Sequence, residues 1–522
     1  MIVDLERDSE LPEFSADVCI VGAGAAGIVL AAELASHGKR VLLLESGGPG
    51  LEPAPQALNE SSYTGQPHRA ASIGRFRVLG GTTTAWGGQI LELTPEDFAV
   101  RPWVPGSGWP FIKEELAAYY ERALQAEGLA PAIRSDAQVW RELKMVSPDL
   151  GDALELYFTR WCPEPNFARL YRELLVSPNL CVVLHATATA MMLDENGGRV
   201  RGIRSTGSAV REHIFSAGHY VLCLGAIESS RFLLQPMPGG HTPSWNRSGL
   251  LGHHFQSHID FDAARIPEEN AHRIRGVFAN AYVRAQKYHP KFRLSIPAQA
   301  DGALLNVAGS ITCTHAEEPD LQRLKFLARN LIRGRLPGFE DADLARALRQ
   351  ARTMAGLAYG YAVEHRAYWP KNSAFWLRVH CEQEPLSRSR ITLTDARDAT
   401  GLLRAHLDWR VSPLEWKTIR CFTEQVKRSF AARGWGDIAT QPELALEEGF
   451  LGITFDDSHH HMGGARMAVH STEGVVTPDL QLHGVENAYL CSAAVFPTSG
   501  FSNPTHTLIA LAIRLADRLK HS

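Results

Sequence analysis

The hydrophobic pattern starts with a short, nearly continuous apolar run, Ala16-Asp17-Val18-Cys19-Ile20-Val21, that stops at glycines. A run of this length bounded by turn residues predicts a strand buried on both faces. Residues 24–38 follow with a helical pattern and end on Gly38, a helix stop. Arg40-Val41-Leu42-Leu43-Leu44 is a second buried strand, closed by Glu45. The three pieces make one βαβ unit. The strand signature returns at 181–184, at 187–192 and at 220–229, the last run ending in small residues. Residues 505–520 read as a helix behind Asn503-Pro504, an N-cap and first-turn pair.

Residues 251–454 have a different texture. Short alternating stretches at 305–312, 375–381, 389–393 and 403–409 predict an antiparallel sheet. Residues 319–357 break that pattern and read as helical. Leu321, Leu324, Ala328, Leu331 and Ile332 lie at helical spacing with Leu327 beside them. Arg323, Lys325, Arg329, Arg333 and Arg335 make the stretch basic, with no acidic residue in 321–335. Three readings fit: an amphipathic helix packed on its lobe, a lid or subunit contact, or a membrane-surface helix. The fold class expected is an α/β, Rossmann-like domain on a mainly parallel sheet, interleaved with an α+β domain built on an antiparallel sheet.

Composition narrows the function. A chain of 522 residues holds two lobes and a large core. It is 45% apolar and 21% charged, ordinary for a globular protein. The net charge of −4 removes the electrostatic case for a nucleic-acid partner. The longest apolar runs are strand-length, so no transmembrane segment is expected. Met1-Ile2-Val3-Asp4-Leu5-Glu6-Arg7-Asp8 shows neither a secretory nor a twin-arginine signal, and the expected location is cytoplasmic. None of the eight cysteines forms a Cys-x-x-Cys pair, and Cys19, Cys181, Cys223 and Cys491 sit inside apolar runs. They read as core residues, with no disulfide framework and no metal site.

Three segments carry chemistry. In Gly22-Ala23-Gly24-Ala25-Ala26-Gly27 the glycines permit a tight turn, close approach of a pyrophosphate and tight helix–strand packing, and the helix N-terminus faces the phosphate charge. Glu45, 18 residues after Gly27, stands where a carboxylate accepts from an adenosine ribose and disfavours a 2′-phosphate. This unit alone does not separate FAD from NAD. Second, residues 77–88 place Gly80, Gly81, Gly87 and Gly88 among Thr82, Thr83, Thr84 and Trp86. Such a stretch cannot pack a core, but it can wrap N–H groups and hydroxyls around a flat polar ligand. Third come His459-His460-His461-Met462-Gly463-Gly464 and Ser502-Asn503-Pro504-Thr505. Taken alone, the histidine run also reads as an incidental metal-binding tract or a surface loop.

Together these segments resemble the glucose–methanol–choline (GMC) oxidoreductase family of flavoenzymes. The resemblance covers nearly the whole chain and is strongest at 16–48, 74–110 and 455–520. Residues 102–110 and the helix expected at 116–128 also match. It implies bound FAD, with Gly22, Gly24 and Gly27 at the pyrophosphate and Gly80, Gly81, Thr82, Thr83, Trp86, Gly87 and Gly88 beside the isoalloxazine. Glu45, Ala188, Gly225, Ser492, Pro504 and Thr505 are the other implied cofactor positions. Some members carry a flavin-linked histidine where this chain has Ala85, so non-covalent FAD is expected. The implied catalytic base is His460, and Asn503 holds the substrate oxygen. The family's threonine near the base is Gly464 here. The 505–520 helix would aim its positive end at the flavin.

Other polar residues stay two-sided. Of His459 and His461, one lines the pocket and the other is structural. Gln383 faces the pocket or is an exposed strand end. His506 is a packed first-turn residue or an extra pocket residue. The layout implied is a flavin domain from 1–110, 180–250 and 455–522, with a substrate domain from 111–179 and 251–454. The reaction implied is oxidation of an alcohol to a carbonyl, with hydride passing to flavin N5 and the proton to His460. A sugar, glycoside or polyol hydroxyl is the expected substrate, and O2 or another acceptor reoxidises the flavin. A hydrophobic alcohol, or a non-redox cyanohydrin-type cleavage on the same scaffold, are the alternatives. A non-catalytic FAD-binding protein fits least, since both catalytic positions are filled. The sequence sets no oligomeric state, and an oligomer is compatible with it.

Overall fold

The computed structural model describes residues 1–8, 14–71, 73–129, 135–207, 212–284, 286–315, 318–332, 338, 340, 342–445 and 455–521. Its first layer is a six-stranded parallel sheet in the spatial order Ile2–Asp4, Leu180–Leu184, Val41–Leu44, Ala16–Val21, Ala217–Leu222, Ala488–Leu490. The apolar runs in the sequence are these strands. They do not alternate because both faces of the sheet are covered, and Val18, Cys19, Ile20 and Val21 are accordingly all buried. The helices Ala25–Ser36 and Pro504–Lys520 pack against each other beside this sheet. Thr187–Leu193 does not join it; it pairs antiparallel with Val200–Thr206, which pairs with Glu212–Phe215.

The second layer is an eight-stranded antiparallel sheet. Its main path runs Ala439–Thr440, Ile259–Ile266, Ser373–Cys381, Val307–His315, Gln286–Leu294, Leu154–Trp161, Gln89–Ile90. One face carries Phe261, Leu377, Val379, Ile311 and Phe292, which bury against Trp416, Ile419, Phe422 and Val426 of the helix Pro413–Ala432. The alternate positions make the other face. There the register sets Thr159 beside His289, Tyr157 beside Lys291, Ser310 beside Arg378, and His380 beside Asp260. Tyr157 and Ala308 on this face pack on Phe501, so the polar face looks toward the C-terminal end of the parallel layer.

One expectation is corrected. Arg390–Arg397 and Leu403–Trp409 are strands, but they do not extend the large sheet. They form a separate three-stranded sheet with Ser62–Gly65, which pairs parallel to Leu403–Trp409. Ile391, Ala405, Leu407 and Trp409 share a core with Ile227 of the helix Ala226–Leu234, and that helix draws the hairpin away.

The helical insertion is Glu318–Ile332, Ala342–Arg349 and Ala351–Tyr359. Leu321, Leu324 and Leu327 are buried, as in a helix packed on its lobe. Arg323 pairs with Asp343 at 3.0 Å and Arg346 with Asp320 at 3.2 Å, tying the first two helices together. Arg333 and Arg335 lie outside the described residues. All eight cysteines are free. Among the described residues, no helix is long and apolar enough to cross a membrane.

Candidate active site

The glycine turn joins Ala16–Val21 to the helix Ala25–Ser36. Gly22 has φ +104°, and a Cβ there would lie 2.5 Å from the Cys223 carbonyl oxygen. A Cβ on Gly27 would lie 1.9 Å from the Gly22 carbonyl oxygen. Gly24 is different: a Cβ there meets nothing within 4 Å. Gly24 is the N-cap, has no side chain to cap with, and lines a cleft together with Ala25 and Ala26. The first N–H groups of the helix are therefore left for a ligand.

The second glycine loop lies on the first. Gly80 N–H donates to the Ala23 carbonyl at 2.9 Å, and a Cβ on Gly81 would lie 2.9 Å from Gly24 Cα. Thr83 Oγ1 accepts from Phe167 N–H at 3.1 Å, and Trp86 Nε1 donates to the Pro165 carbonyl at 2.6 Å. Buried Glu45 accepts from Ala23 N–H and from Gly47 N–H, both at 2.9 Å. Burial pushes its carboxyl up to about 7, against the two N–H donors that favour the charge.

The cleft encloses about 720 Å³. It runs from Gly22, Gly24 and Glu45, past Thr82, Trp86 and Gly88, to His459, His460, His461 and Asn503. An elongated cleft of this size, with a backbone phosphate cradle at one end, fits a dinucleotide.

At the far end, Asn503 Nδ2 donates to His460 Nε2 at 3.0 Å. Asn503 occupies the N-cap position of Pro504–Lys520 but makes no side-chain cap bond, because its amide is turned to His460. The other face of His460 meets imidazoles from the antiparallel sheet. His460 Nδ1 is 2.9 Å from His258 Nδ1, which is 2.8 Å from His380 Nε2. His380 Nδ1 is 2.7 Å from Asp260 Oδ1, and Ser458 Oγ donates to Asp260 Oδ2 at 2.7 Å. Burial, then the field of His380, holds His460 down to about 3, so its ring is neutral near pH 7. Burial pushes the Asp260 carboxyl up, but His380 and Arg378 outweigh it and leave the carboxyl far below its usual range. Burial brings the nearby Lys291 amine down to about 8. Ser458 and His459 stand in sequence at φ +52° and +55°, a strained turn that presents His460 to the cleft.

Sequence comparison decides what this site belongs to. A family profile described as FAD dependent oxidoreductase matches residues 17–279, and one described as GMC oxidoreductase matches 385–512. The chain belongs to the GMC oxidoreductase family. It is an FAD-dependent oxidoreductase acting on CH–OH donors. This GMC oxidoreductase is 24% identical to a 2-methyl-1,2-propanediol dehydrogenase of Mycolicibacterium austroafricanum, across 96% of this chain and 94% of the relative. It is 25% identical to a 6'''-hydroxyparomomycin C oxidase of Streptomyces lividus, across 95% and 90%. Its fold is similar to the crystal structure of pyridoxine 4-oxidase from Mesorbium loti, with a TM-score of 0.60, 17% identity and coverage of 97% and 100%.

In this GMC oxidoreductase most of the expected cofactor positions line the cleft: Gly22, Gly24, Glu45, Gly81, Thr82, Thr83, Trp86, Gly87, Gly88, Ala188, Gly225, Pro504 and Thr505. Gly27, Gly80 and Ser492 do not, and act through packing. Ser492 is buried and accepts from Ala494 N–H at 3.2 Å. His460, Asn503 and His461 meet at the far end, and His461 Nε2 is buried with no partner among the described residues.

Two substrate candidates are corrected. Gln383 is neither in the pocket nor exposed. It is 0% exposed, its Oε1 accepts from Ser257 N–H and Trp409 Nε1–H at 2.8 Å, and its Nε2 donates to the Arg410 carbonyl at 2.8 Å. His506 points away from the cleft, stacks on Tyr120 and bonds buried Glu127 at 2.8 Å. It is the packed first-turn residue. The sequence reading missed His258, Asp260, His380 and Lys291. Their signal was alternation: His258 and Asp260 interleave with Ile259 and Phe261, and Arg378 and His380 with Leu377, Val379 and Cys381.

Proposed function

We propose that this enzyme oxidises a hydroxyl of a small polyhydroxylated molecule, a sugar, glycoside or polyol, to a carbonyl, with His460 as base. The observation that carries the reading is the His460–Asn503 pair at the end of the cleft, opposite the glycine cradle. FAD, when bound, supplies the two-electron acceptor. Gly22, Gly24 and Glu45 would hold its adenosine end, and the Gly80–Gly88 loop its flavin. Asn503 Nδ2 holds the substrate oxygen, and His460 Nε2 takes the hydroxyl proton. The neutral state of His460 leaves that nitrogen able to accept.

The polar face of the antiparallel sheet behind His460 supports a polyhydroxylated substrate over an apolar alcohol. Thr159, His289, Lys291, Ser310 and Arg378 share that face with His380 and stand behind the cleft lining rather than in it. The diol named for one relative fits the same class. Ala85 stands in the cleft where covalent members carry histidine, which supports non-covalent FAD. Residues 1–110, 180–250 and 455–522 form the flavin body in this reading, and 111–179 and 251–454 the substrate body.

The test is anaerobic mixing of the yellow protein with a panel of sugars, glycosides, polyols and apolar alcohols, followed by admission of air. Polyhydroxylated compounds are expected to bleach the flavin, and the rate of recolouring in air measures oxygen as acceptor. His460→Ala should keep the flavin and slow bleaching by about 10²–10⁴-fold. Little loss of rate in that variant overturns the assignment of the base. A carbonyl product formed without bleaching would establish a non-redox lyase instead.

A further inference from the structure

The base-ready form of His460 carries its proton on Nδ1 and its lone pair on Nε2, the nitrogen beside Asn503. A neutral imidazole has two tautomers, and the partner of one nitrogen selects which nitrogen is bare. The partner of His460 Nδ1 is His258 Nδ1, at 2.9 Å. His258 Nδ1 has a second neighbour, His380 Nε2 at 2.8 Å. Three ring nitrogens thus converge on one another, and their protons can be counted.

If His258 Nδ1 carried the proton, it would donate to His460 Nδ1 or to a neutral His380 Nε2, and in either case a second proton on His460 Nδ1 would meet it head-on. The His460 proton would then sit on Nε2 and oppose the Asn503 amide hydrogen. If His258 Nδ1 is bare, it accepts from both His460 Nδ1–H and His380 Nε2–H. His380 then donates from both nitrogens, the second bond going to Asp260 Oδ1 at 2.7 Å. It is an imidazolium paired with a carboxylate, and Asp260 is further held by Ser458 Oγ–H at 2.7 Å and Arg378 at 3.5 Å. His258 Nε2, on the far side of the ring, is buried with no hydrogen-bond partner among the described residues. Only this second count gives His460 a free Nε2.

We infer that His258 is a positioning residue for the base. Its bare Nδ1 accepts from His460 Nδ1–H and fixes the tautomer with Nε2 free, and the His380–Asp260 pair keeps that Nδ1 bare. The inference rests on His460 being the base. It has the logic of a triad, in which a third group sets the tautomer of the base, here with an imidazole and an ion pair in place of a lone carboxylate.

The test reads the tautomer and needs no substrate, so its failure is separable from failure of the proposed reaction. The protein is labelled with ¹⁵N-histidine, isolated with its flavin, and its ring nitrogens are assigned by NMR with His460→Gln as the subtraction. The expected spectrum has His460 protonated on Nδ1 and bare on Nε2. In His258→Leu the proton should move to Nε2 in most molecules. In His258→Gln, whose Oε1 can accept, it should stay on Nδ1. Asp260→Asn should strip the second proton from His380. A native spectrum with the His460 proton on Nε2 overturns the inference, as does an unchanged tautomer in flavin-bound His258→Leu. The three ring nitrogens also lie within 4.8 Å of one another, close enough for a divalent cation. One zinc, copper or nickel per chain in the isolated protein would likewise overturn it, because the metal would use the same lone pairs. If His258→Leu does not fold, the native and His258→Gln spectra still decide.

Discussion

The two ends of the cleft are built from opposite materials. The cofactor end is backbone: Gly22, Gly24 and Gly81 leave room, the helix Ala25–Ser36 offers bare N–H groups, and Glu45 pins the turn through Ala23 and Gly47. Its parts are near one another in sequence. The end proposed to be catalytic is side chain: His258, His380, His460 and Asn503 come from segments more than 40 residues apart, and their ring and amide nitrogens lie within hydrogen-bond distance of one another. The difference predicts two kinds of failure. Substitutions at the first end should act through space, and those at the second through protonation.

The largest effect expected is at Gly27. A Cβ there would lie 1.9 Å from the Gly22 carbonyl oxygen, and backbone cannot step aside as a side chain can. Gly27→Ala should force the helix off its strand, cost roughly 3 kcal/mol or more, and leave the protein colourless. The ratio of flavin to protein absorbance, with the Tm, checks it. A yellow Gly27→Ala variant of normal Tm would mean that the tight helix–strand contact is dispensable. His460→Ala makes the complementary case, a yellow protein that has lost its rate.

A smaller effect separates the ends by pH. Burial holds His258, His289, His460 and His461 below the ordinary histidine range, so all four are neutral in the fold. Unfolded, each titrates near pH 6.5. Below that pH the unfolded chain binds more protons than the native one, so stability is present above about pH 6.5 and is lost as pH falls. Each such group costs about 1.4 kcal/mol per pH unit over the range where it stays neutral. Glu45 and Glu415, both pushed up to about 7 by burial, take up protons in the fold over the same range and offset part of this loss, so the Tm of the flavin-bound protein should fall between pH 6.5 and about 5 by less than the histidines alone would give. His460, held at about 3, should stay unprotonated across that window, so loss of activity there should track unfolding rather than protonation of the proposed base. A flat Tm would mean that proton uptake by the buried carboxyls balances the imidazoles, and ¹⁵N-histidine spectra at pH 5 and pH 7 would then read the charge of the rings directly; a protonated His258 or His460 at pH 7 would undo the proton count at His258.

The same contrast governs what the sequence could tell. Ala16–Val21 is legible to the residue because a strand buried on both faces writes its boundaries as an unbroken apolar run. The glycine turn is legible because its constraints are local. The His460–Asn503 pair is visible through motif resemblance. The histidines behind it are not, because a polar residue on an alternating strand looks the same whether it faces solvent or an imidazole. Asp260 meets His380 only through the register of two strands 120 residues apart. Gln383 misleads for the same reason: at a strand end it looks exposed, and only the fold brings Ser257, Trp409 and Arg410 around its amide. His506 is settled by Glu127, 379 residues away.

The finest probe of the comparison is Gly24. Its φ is −84°, open to any residue, and a Cβ there touches nothing within 4 Å. The fold does not need this glycine. Gly24→Ala should leave the stability of the flavin-free protein within about 0.5 kcal/mol of the parent. A methyl group at that point nonetheless projects into the cleft at the helix N-terminus, where a pyrophosphate needs close backbone approach. The variant should therefore bind FAD more weakly while folding normally, which flavin titration of the stripped protein measures against its own Tm. Weaker binding with unchanged Tm would show that the absent side chain serves the ligand alone. Full affinity would mean that the open space above Gly24 is not where the phosphates lie, and the cofactor end would then owe its glycines to packing at Gly22, Gly27 and Gly81.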